Sequence, residues 1–177
     1  MKGFNRENPL FSLCGLNCGL CPMHLSGHCG GCGFGNQSCS LARCSLEHGP
    51  VEYCFQCGKY PCDKYEHIDA YDSFITHQRQ KSDLQKAQQI GIENYNAEQV
   101  KKAGILTHLL NQYNDGRKKS LFCLAVNLLE LDALTAIIQQ ADAMTSEMSI
   151  KEKAAFISAL LQQCADRNNI ELKLKRK

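Results

Sequence analysis

Residues 14–62 read CGLNCGLCPMHLSGHCGGCGFGNQSCSLARCSLEHGPVEYCFQCGKYPC and contain ten of the chain's twelve cysteines. The segment is rich in glycine and has no helical or strand periodicity of useful length. Such a segment buries too little apolar surface to fold by itself, and metal coordination is the usual substitute. We therefore expect an irregular, metal-stapled region here, around which the rest of the chain is organised.

Two pairs of cysteines in this segment share the pattern CxxCG. They are Cys29-Gly-Gly-Cys32 and Cys54-Phe-Gln-Cys57, each followed by a glycine. Two intervening residues form the tight turn that lets two thiolates reach one ion, and the glycine relieves strain in the backbone that follows. Two such knuckles about twenty residues apart match the spacing of a four-cysteine zinc site. The spacing therefore favours these four cysteines as a first zinc site.

The other six cysteines of the segment provide donors for a second tetrahedral site, and the sequence leaves the pairing of cysteines open. These six are Cys14, Cys18, Cys21, Cys39, Cys44 and Cys62. His24, His28 and His48 lie in the same segment as alternative ligands, although solvent-facing loop histidines are the more common case. We expect the ten cysteines to bind two zinc ions whose role is structural.

Iron is the alternative metal. The triplet Cys14-x3-Cys18-x2-Cys21 has the spacing with which radical enzymes that use S-adenosylmethionine hold a [4Fe–4S] cluster. Such a triplet opens a barrel of about 200 residues or more, and the chain after Cys21 is too short for one. A plain [4Fe–4S] cluster remains an alternative cofactor, because four thiolates at irregular spacing bind zinc or iron.

The composition indicates a globular protein of one domain, or of one domain with a small appendage. Of its 177 residues 44% are hydrophobic, and the formal net charge is only +2, which disfavours a nucleic-acid partner. The first residues are polar, without the apolar core of a signal peptide, and no run approaches the roughly 18 apolar residues that cross a bilayer. We expect a cytoplasmic protein with no membrane partner, whose thiols stay reduced and do not form a disulfide scaffold.

Beyond about residue 63 glycine and cysteine become scarce and helical patterns begin, which predicts a mainly α fold. We place a cysteine-rich metal-binding region at 1–66 and a helical region at 67–177, the first packed on a helical bundle formed by the second. Short helices are predicted after Ser40, with Cys44 at or near the helix start, and after Pro61.

Longer helices are predicted at 73–90, at 97–103 after an Asn96 cap, at 121–129, from 132, and from the capping box Ser149-x-x-Glu152 to about residue 168. Gly104 is expected to interrupt its helical pattern. Residues 170–174 alternate apolar and charged side chains, which predicts a short strand or an extended tail. Cys123 and Cys164 fall on helical faces and are expected in the core.

Three cations, Arg117, Lys118 and Lys119, stand at the start of the helix predicted at 121–129. Cations there oppose the helix macrodipole, which favours anions. Free N–H groups together with these side chains would bind a phosphate or carboxylate, so they are candidate anion-binding residues. The competing interpretation is that they extend into water or pair with acidic neighbours such as Asp115.

The order of these motifs resembles a known family. The residues that carry the resemblance are Cys14-Gly-Leu-Asn-Cys18-Gly-Leu-Cys21-Pro22, the pairs Cys29/Cys32 and Cys39/Cys44, Cys54-Phe-Gln-Cys57, Tyr60-Pro61-Cys62, and 114–123, NDGRKKSLFC. Over nearly its whole length the chain resembles the bacterial and archaeal family catalogued as domain of unknown function 3795. The resemblance implies a cysteine-rich, zinc-binding protein and gives the ten cysteines a metal-ligand role, but it implies no reaction.

Two functions from different classes follow. The first is a zinc-binding protein that acts as a binding or adaptor module for a protein or a small anionic ligand, because four thiolates on one zinc leave no open position for substrate. No carboxylate–His or Ser–His constellation argues for catalysis, so we favour a protein that is not an enzyme. The second is an iron–sulfur redox or metal-transfer protein, which the surplus of cysteines beyond eight and the Cys14, Cys18 and Cys21 triplet favour.

Overall fold

The computed structural model describes residues 1–176, and the prediction of a mainly α fold is confirmed. The helices are α1 (Pro22–Leu25), α2 (Ser40–Glu47), α3 (Gln80–Ile90), α4 (Ile92–Gln112), α5 (Lys119–Leu128), α6 (Leu131–Met144) and α7 (Ile150–Arg167). Single 3-10 turns form at Cys18–Leu20, Cys54–Gln56 and Asp63–Tyr65. Residues 1–176 contain no β-strand, so of the two alternatives predicted for residues 170–174 the short strand is wrong, and these residues form a tail without regular structure. Nor do these residues include a helix with the length and apolar character needed to span a membrane.

The chain divides into two compact units. The first comprises Met1–Ala97 together with the residues from Lys175, and the second is Glu98–Leu174. The division falls inside α4, later in the chain than the change in composition near residue 66 suggests. The physical reason is that α3 belongs to the core of the cysteine-rich unit, because Leu84 and Ala87 are fully buried in the same cluster as Phe11 and Leu13.

Aromatic rings close the core of the first unit. The ring of Phe11 lies 5.4 Å from that of Tyr53 and 4.6 Å from that of Tyr95, centroid to centroid. All three side chains are buried, so the N-terminal leader is part of the core. Aromatic pairs at such centroid distances add to the free energy gained from burial.

A buried polar network joins the first cysteine loop to α3. The amide of Asn17 donates to Asp83 Oδ2 at 2.9 Å, and the hydroxyl of Tyr95 donates to Asn17 Oδ1 at 3.2 Å. The amide of Gln80 donates to the carbonyl oxygen of Cys14 at 3.1 Å. Buried polar groups stabilise a fold only when they are paired, so these bonds fix the position of the loop on the helix.

Gly15 is the point of closest approach between that loop and α3. Its φ is 96°, and a Cβ built on it would lie 2.3 Å from the carbonyl oxygen of Gln80 and 3.1 Å from Leu84 Cβ. Glycine is required here because it adopts the left-handed conformation without strain and has no Cβ to collide with the helix backbone.

Two helix predictions are wrong in their bounds. Helix α3 begins at Gln80 and not at residue 73, since the carboxylate of Asp72 accepts from the backbone N–H of His77 and holds a turn there. Helix α4 runs without a break through Gly104, which leaves Asn96 inside the helix and not at its cap. Burial of Leu106 and Leu109 on the same helix outweighs the cost of about 1 kcal/mol for one helical glycine.

The C-terminal residues are tied back to the first unit. Asp72 donates its backbone N–H to the carbonyl oxygen of Lys175 at 2.8 Å, and Lys175 donates its own N–H to Asp72 Oδ2 at 2.7 Å. Arg176 Nη1 donates to the carbonyl oxygen of Ser73 at 3.3 Å. The tail therefore forms a backbone clasp with residues 72–73.

The second unit contains α5 to α7, with α7 packed against both α5 and α6. Helix α5 is buried along most of its length, and Cys123 lies in the core as predicted. The capping box at the start of α7 is confirmed, because Ser149 and Glu152 exchange hydrogen bonds. Cys164 is only partly buried, so the prediction that it lies in the core is wrong; Asn168 Nδ2 lies 3.8 Å from its sulfur.

Asp142 is the centre of a polar contact between α6 and α4 within the second unit. The hydroxyl of Tyr113 donates to Asp142 Oδ1 at 2.6 Å, and His108 Nε2 lies 2.9 Å from the same oxygen. Partial burial opposes ionisation of this carboxyl, but the hydrogen bonds from Tyr113 and His108 outweigh it and hold its pKa below the ordinary 3.8. His108 thus has a helix-to-helix partner.

The glycines give a matched pair of stability tests. Gly15→Ala should lower the free energy of unfolding by about 1–2 kcal/mol or more, because the left-handed conformation and the near carbonyl of Gln80 both oppose a Cβ. Gly104→Ala should raise it by about 0.5–1 kcal/mol, since a Cβ there meets nothing within 4 Å inside a helix. Denaturant unfolding of both variants measures the difference, and effects of the same sign would contradict this account.

Tyr113→Phe should raise the pKa of Asp142 toward 3.8, because the strongest hydrogen bond to its ionised form is lost. A carboxyl with a lowered folded-state pKa stabilises the fold above about pH 3.8 and loses that effect as the pH falls through the lowered value. The variant should therefore be less stable than the wild type at pH 6, with a smaller difference at pH 2. NMR titration of the carboxyl and unfolding at both pH values check this; an unmoved titration would refute it.

Candidate metal centres

Four cysteines line one small cavity in the first unit. Cys44, Cys54, Cys57 and Cys62 surround a space of about 30 Å³, which is room for one small guest. The rest of the lining is mainly apolar or aromatic and includes Leu41, Val51, Tyr60 and Tyr65, with Ser45, His48 and Gly49. Thiols from α2, from the turn at Cys54–Cys57 and from Cys62 thus line one small, partly open cavity.

Local structure explains how the thiols reach this cavity. The backbone N–H of Cys57 donates to the carbonyl oxygen of Cys54 at 3.0 Å, which closes the tight turn that the CxxCG pattern predicts. The N–H of Tyr60 donates to the carbonyl oxygen of Cys57 at 3.0 Å, and this second turn returns the chain toward Cys62. Cys44 lies in the second half of α2, while Cys39 holds the N-cap position, so the prediction of Cys44 at a helix start is wrong.

A buried tyrosine hydroxyl points at this thiol group. Tyr65 is 4% exposed and its hydroxyl has no hydrogen-bond partner, while the Cys54 thiol is the neighbouring group with the largest effect on its pKa. Burial and the Cys54 sulfur raise the pKa of Tyr65, so the phenol stays protonated and keeps a hydrogen to donate. Burial also raises the pKa of Cys54, to about 12, with the Tyr65 hydroxyl acting in the opposite direction.

His48 lies beside the same cavity. Its Nδ1 is 3.1 Å from the carbonyl oxygen of Cys44 and 3.8 Å from the Cys44 sulfur. The side chain is otherwise exposed. His48 follows the last residue of α2, and its contact with the Cys44 carbonyl is one that histidines at helix ends commonly make. His24, in α1, makes a comparable backbone contact, with Nδ1 2.9 Å from the carbonyl oxygen of Cys29.

The N-terminal leader gathers a second group of thiols. The carbonyl oxygen of Leu10 accepts from the N–H of Gly19 at 2.8 Å, and that of Pro9 accepts from the N–H of Cys32 at 2.8 Å. Two adjacent residues of the leader thus hold both cysteine loops, and this places Cys18 and Cys32 near each other. We assign to this group the six cysteines whose thiols affect one another: Cys14, Cys18, Cys21, Cys29, Cys32 and Cys39. Cys14 also affects the Cys54 thiol of the cavity, so it lies between the two groups.

Electrostatic effects within the second group agree with this placement. Burial is the main cause that raises the pKa of the Cys18 thiol. Four neighbouring thiols raise it further: Cys32, Cys14, Cys21 and Cys29. Burial likewise raises the pKa of Cys14, to about 11, against a contact of 3.2 Å between its sulfur and Ser12 Oγ.

The structure groups the cysteines differently from the pairing that the spacing favours. Cys54 and Cys57 share their cavity with Cys44 and Cys62, whereas Cys29 and Cys32 lie with Cys18 against the leader. The one sequence signal for the observed grouping is the four-residue gap Cys57–Cys62, because the turn within it returns the chain toward the same cavity. The Tyr65 hydroxyl had no sequence signal.

In the described residues the thiols of neither group converge closely enough to act together as metal ligands. Within residues 1–176 no three His, Cys, Asp or Glu side chains stand together in metal-holding geometry, and all twelve cysteines are free of disulfides. An ion in either group would require the thiols to lose their protons and to approach one another.

The candidate anion site at the start of α5 is already partly occupied by local side chains. Asp115 Oδ1 accepts from the N–H of Arg117 at 3.0 Å, and Asn114 Oδ1 accepts from the N–H of Lys118 at 3.1 Å. Helix α5 begins at Lys119, so these bonds occupy N–H groups on which the predicted anion site depends. Arg117 is exposed, whereas Lys118 and Lys119 are half-buried.

Comparisons of this chain with protein-family models, curated proteins and solved structures give no match. The resemblance to the domain of unknown function 3795 therefore stays a prediction. The function is argued below from the chain's own residues, and the cysteine groups are the feature with the clearest chemical meaning.

Proposed function

We propose that this protein binds zinc through its ten N-terminal cysteines and that the zinc has a structural role in a binding or adaptor module. The observation that carries the proposal is the cavity lined by Cys44, Cys54, Cys57 and Cys62. The remaining six cysteines of the segment form the second group, which supplies the donors for a second ion.

The donors around the cavity suit zinc. Four thiolates are a complete ligand set for a structural zinc ion, and the remainder of the lining includes no carboxylate, the oxygen ligand that harder cations prefer. The buried Tyr65 hydroxyl supports the same assignment, because a Cys54 thiolate would accept the hydrogen bond that this hydroxyl lacks. Bound zinc would join α2 to the two turns and supply folding free energy to loops with little core of their own.

A closed four-thiolate site favours an adaptor over an enzyme. With four protein ligands the metal keeps no open position at which a substrate binds or a water is activated. The ion would then shape a surface, and the partner of that surface would be a protein or a small anionic ligand.

An iron–sulfur protein is the second candidate, and the size of the second thiol group favours it. Six cysteines exceed the four that one zinc ion or one [4Fe–4S] cluster needs, and the triplet Cys14, Cys18 and Cys21 falls entirely within this group. A cluster there would give a redox or metal-transfer function.

Elemental analysis with a visible spectrum, on untagged protein purified without oxygen, tests the proposal and identifies its ligands. We expect two zinc ions per chain and no colour. Cys57→Ser and Cys32→Ser should each lose one zinc and lower the melting temperature, because the binding energy of a structural site is folding energy, while Cys164→Ser should keep both. Iron with acid-labile sulfide would favour the second candidate, and full metal retention in both of the first two variants would refute the assignment.

Tyr65→Phe tests whether the cavity holds zinc, because the change should have different effects in metal-free and in zinc-loaded protein. In metal-free protein the change removes a buried hydroxyl without a partner and should leave the free energy of unfolding unchanged or raise it. In zinc-loaded protein it removes a donor to the Cys54 thiolate and should weaken zinc binding by about 10-fold or more. Unfolding with and without a chelator, together with a zinc competition titration, measures both effects. Equal effects in the two states would contradict a role for Tyr65 beside a metal.

A further inference from the structure

A serine and a histidine lie side by side in the turn that precedes α3. Ser73 Oγ is 3.0 Å from His77 Nε2, and His77 Nδ1 is 3.1 Å from the carbonyl oxygen of Ile68. A carbonyl oxygen only accepts hydrogen bonds, so in the neutral ring Nδ1 carries the hydrogen and Nε2 keeps its electron pair. The Ser73 hydroxyl also lies 3.5 Å from the carbonyl oxygen of Ile75, but Nε2 is the nearer acceptor and receives its hydrogen.

The pair has the three parts of an activated nucleophile. A hydroxyl is a weak nucleophile unless a base within hydrogen-bond reach takes its proton, and a third group must orient that base. The Ile68 carbonyl holds the position that a carboxylate holds in a Ser-His-Asp triad, and it fixes the ring and its tautomer. The spacing of Ser73 and His77 carries no sequence signal for this arrangement, because the third partner is a backbone carbonyl.

Hydrogen bonds to Asp72 hold the turn that carries the pair. Asp72 Oδ1 accepts from the backbone N–H of His77 and, at 3.4 Å, from the hydroxyl of Thr76. Asp72 Oδ2 accepts from the N–H of Lys175 at 2.7 Å, so the turn and the tail clasp share one carboxylate. The base is therefore attached to a backbone that is braced from two sides, which favours a fixed geometry between base and nucleophile.

The Ser73 hydroxyl is accessible and has apolar neighbours along the chain. Ser73 is exposed and His77 is half-buried. The side chains of Phe74 and Tyr71 are 66% and 50% exposed, so both offer contact area to the apolar part of a substrate. The backbone N–H of Phe74, the residue after the nucleophile, makes no hydrogen bond within residues 1–176 and is available to a developing oxyanion.

We propose that Ser73 and His77 are catalytic residues for acyl transfer from small activated esters that have an apolar acyl or aryl group. Ser73 Oγ forms a bond to the ester carbonyl carbon while its proton moves to His77 Nε2. The alcohol leaves with that proton, and the acyl group stays on Ser73. Water then adds its oxygen to the acyl carbon and gives a proton to Nε2; the acid is released, and this proton returns to Ser73 Oγ.

This activity goes beyond the proposed function. None of the ten N-terminal cysteines takes part in it, so the metal sites keep their structural role. Elemental analysis tests the metal sites and leaves the serine untouched, whereas the labelling described next reports on the serine alone.

Labelling of the full chain with a fluorophosphonate, which phosphonylates activated serine hydroxyls and spares thiols, tests the proposal. Mass spectrometry of the digested protein should find the phosphonyl group on Ser73 and on no other serine. Ser73→Ala should lose the label. His77→Gln keeps a hydrogen-bonding side chain but no base, so it should slow labelling by about 100-fold or more.

Hydrolysis of p-nitrophenyl butyrate measures turnover. Thiols also react with such esters, so the informative rate is the difference between the wild type and Ser73→Ala. We expect Ser73→Ala and His77→Gln to lower hydrolysis to the same residual rate, with melting temperatures close to that of the wild type. His108→Gln is the matched control and should keep the full rate, because His108 contacts the carboxylate of Asp142 and no serine.

Three results would overturn the inference. The first is wild-type protein that carries no label on Ser73 after treatment with excess reagent. The second is an equal labelling rate in His77→Gln, which would show that Ser73 is an ordinary exposed hydroxyl beside a structural histidine. The third is ester hydrolysis that is unchanged in Ser73→Ala, which would assign the reaction to the thiols or to an imidazole acting alone.

Discussion

The close contact between the first cysteine loop and α3 is the constraint on which the rest of the first unit depends. Gly15 lets the loop backbone reach the carbonyl of Gln80, and the bonds of Asn17 to Asp83 and Tyr95 then fix its position. The leader crosses the same core through Phe11, and its carbonyl groups hold the loops that carry Cys18 and Cys32. The positions of the thiols therefore follow from a glycine and a few buried polar bonds, in a region with little regular structure.

Burial and a bound cation would act on the thiols in opposite directions. Burial favours the neutral thiol, because an isolated thiolate loses its hydration, and this raises the pKa values of Cys14, Cys18, Cys32 and Cys54. A bound cation would reverse the preference, since it would stabilise the thiolates and give the hydrogen of the Tyr65 hydroxyl an acceptor. A buried hydroxyl without a partner is costly in the metal-free protein, so Tyr65 supports the metal hypothesis independently of the number of cysteines.

What the sequence predicts well is local. The turn from Cys54 to Cys57, the capping box of α7 and the helix through Cys123 all depend on neighbours within a few residues. The grouping of cysteines was not predictable in this way, because it depends on which loops the carbonyls of Pro9 and Leu10 bind. The continuity of α4 through Gly104 also depends on distant burial, as does the inclusion of α3 in the cysteine-rich unit. The position of the Tyr65 hydroxyl was not predictable either, because it depends on how distant loops pack around it.

The clasp between Asp72 and Lys175 makes the second unit an insertion in the first. The two residues are 103 positions apart, so the first unit contains both an early and a very late part of the chain. During synthesis, all ten N-terminal cysteines leave the ribosome long before the residues that complete their unit. The thiols of a nascent chain thus pass through a period in which their unit lacks its last contacts, and an early-bound ion would hold the loops together during that interval.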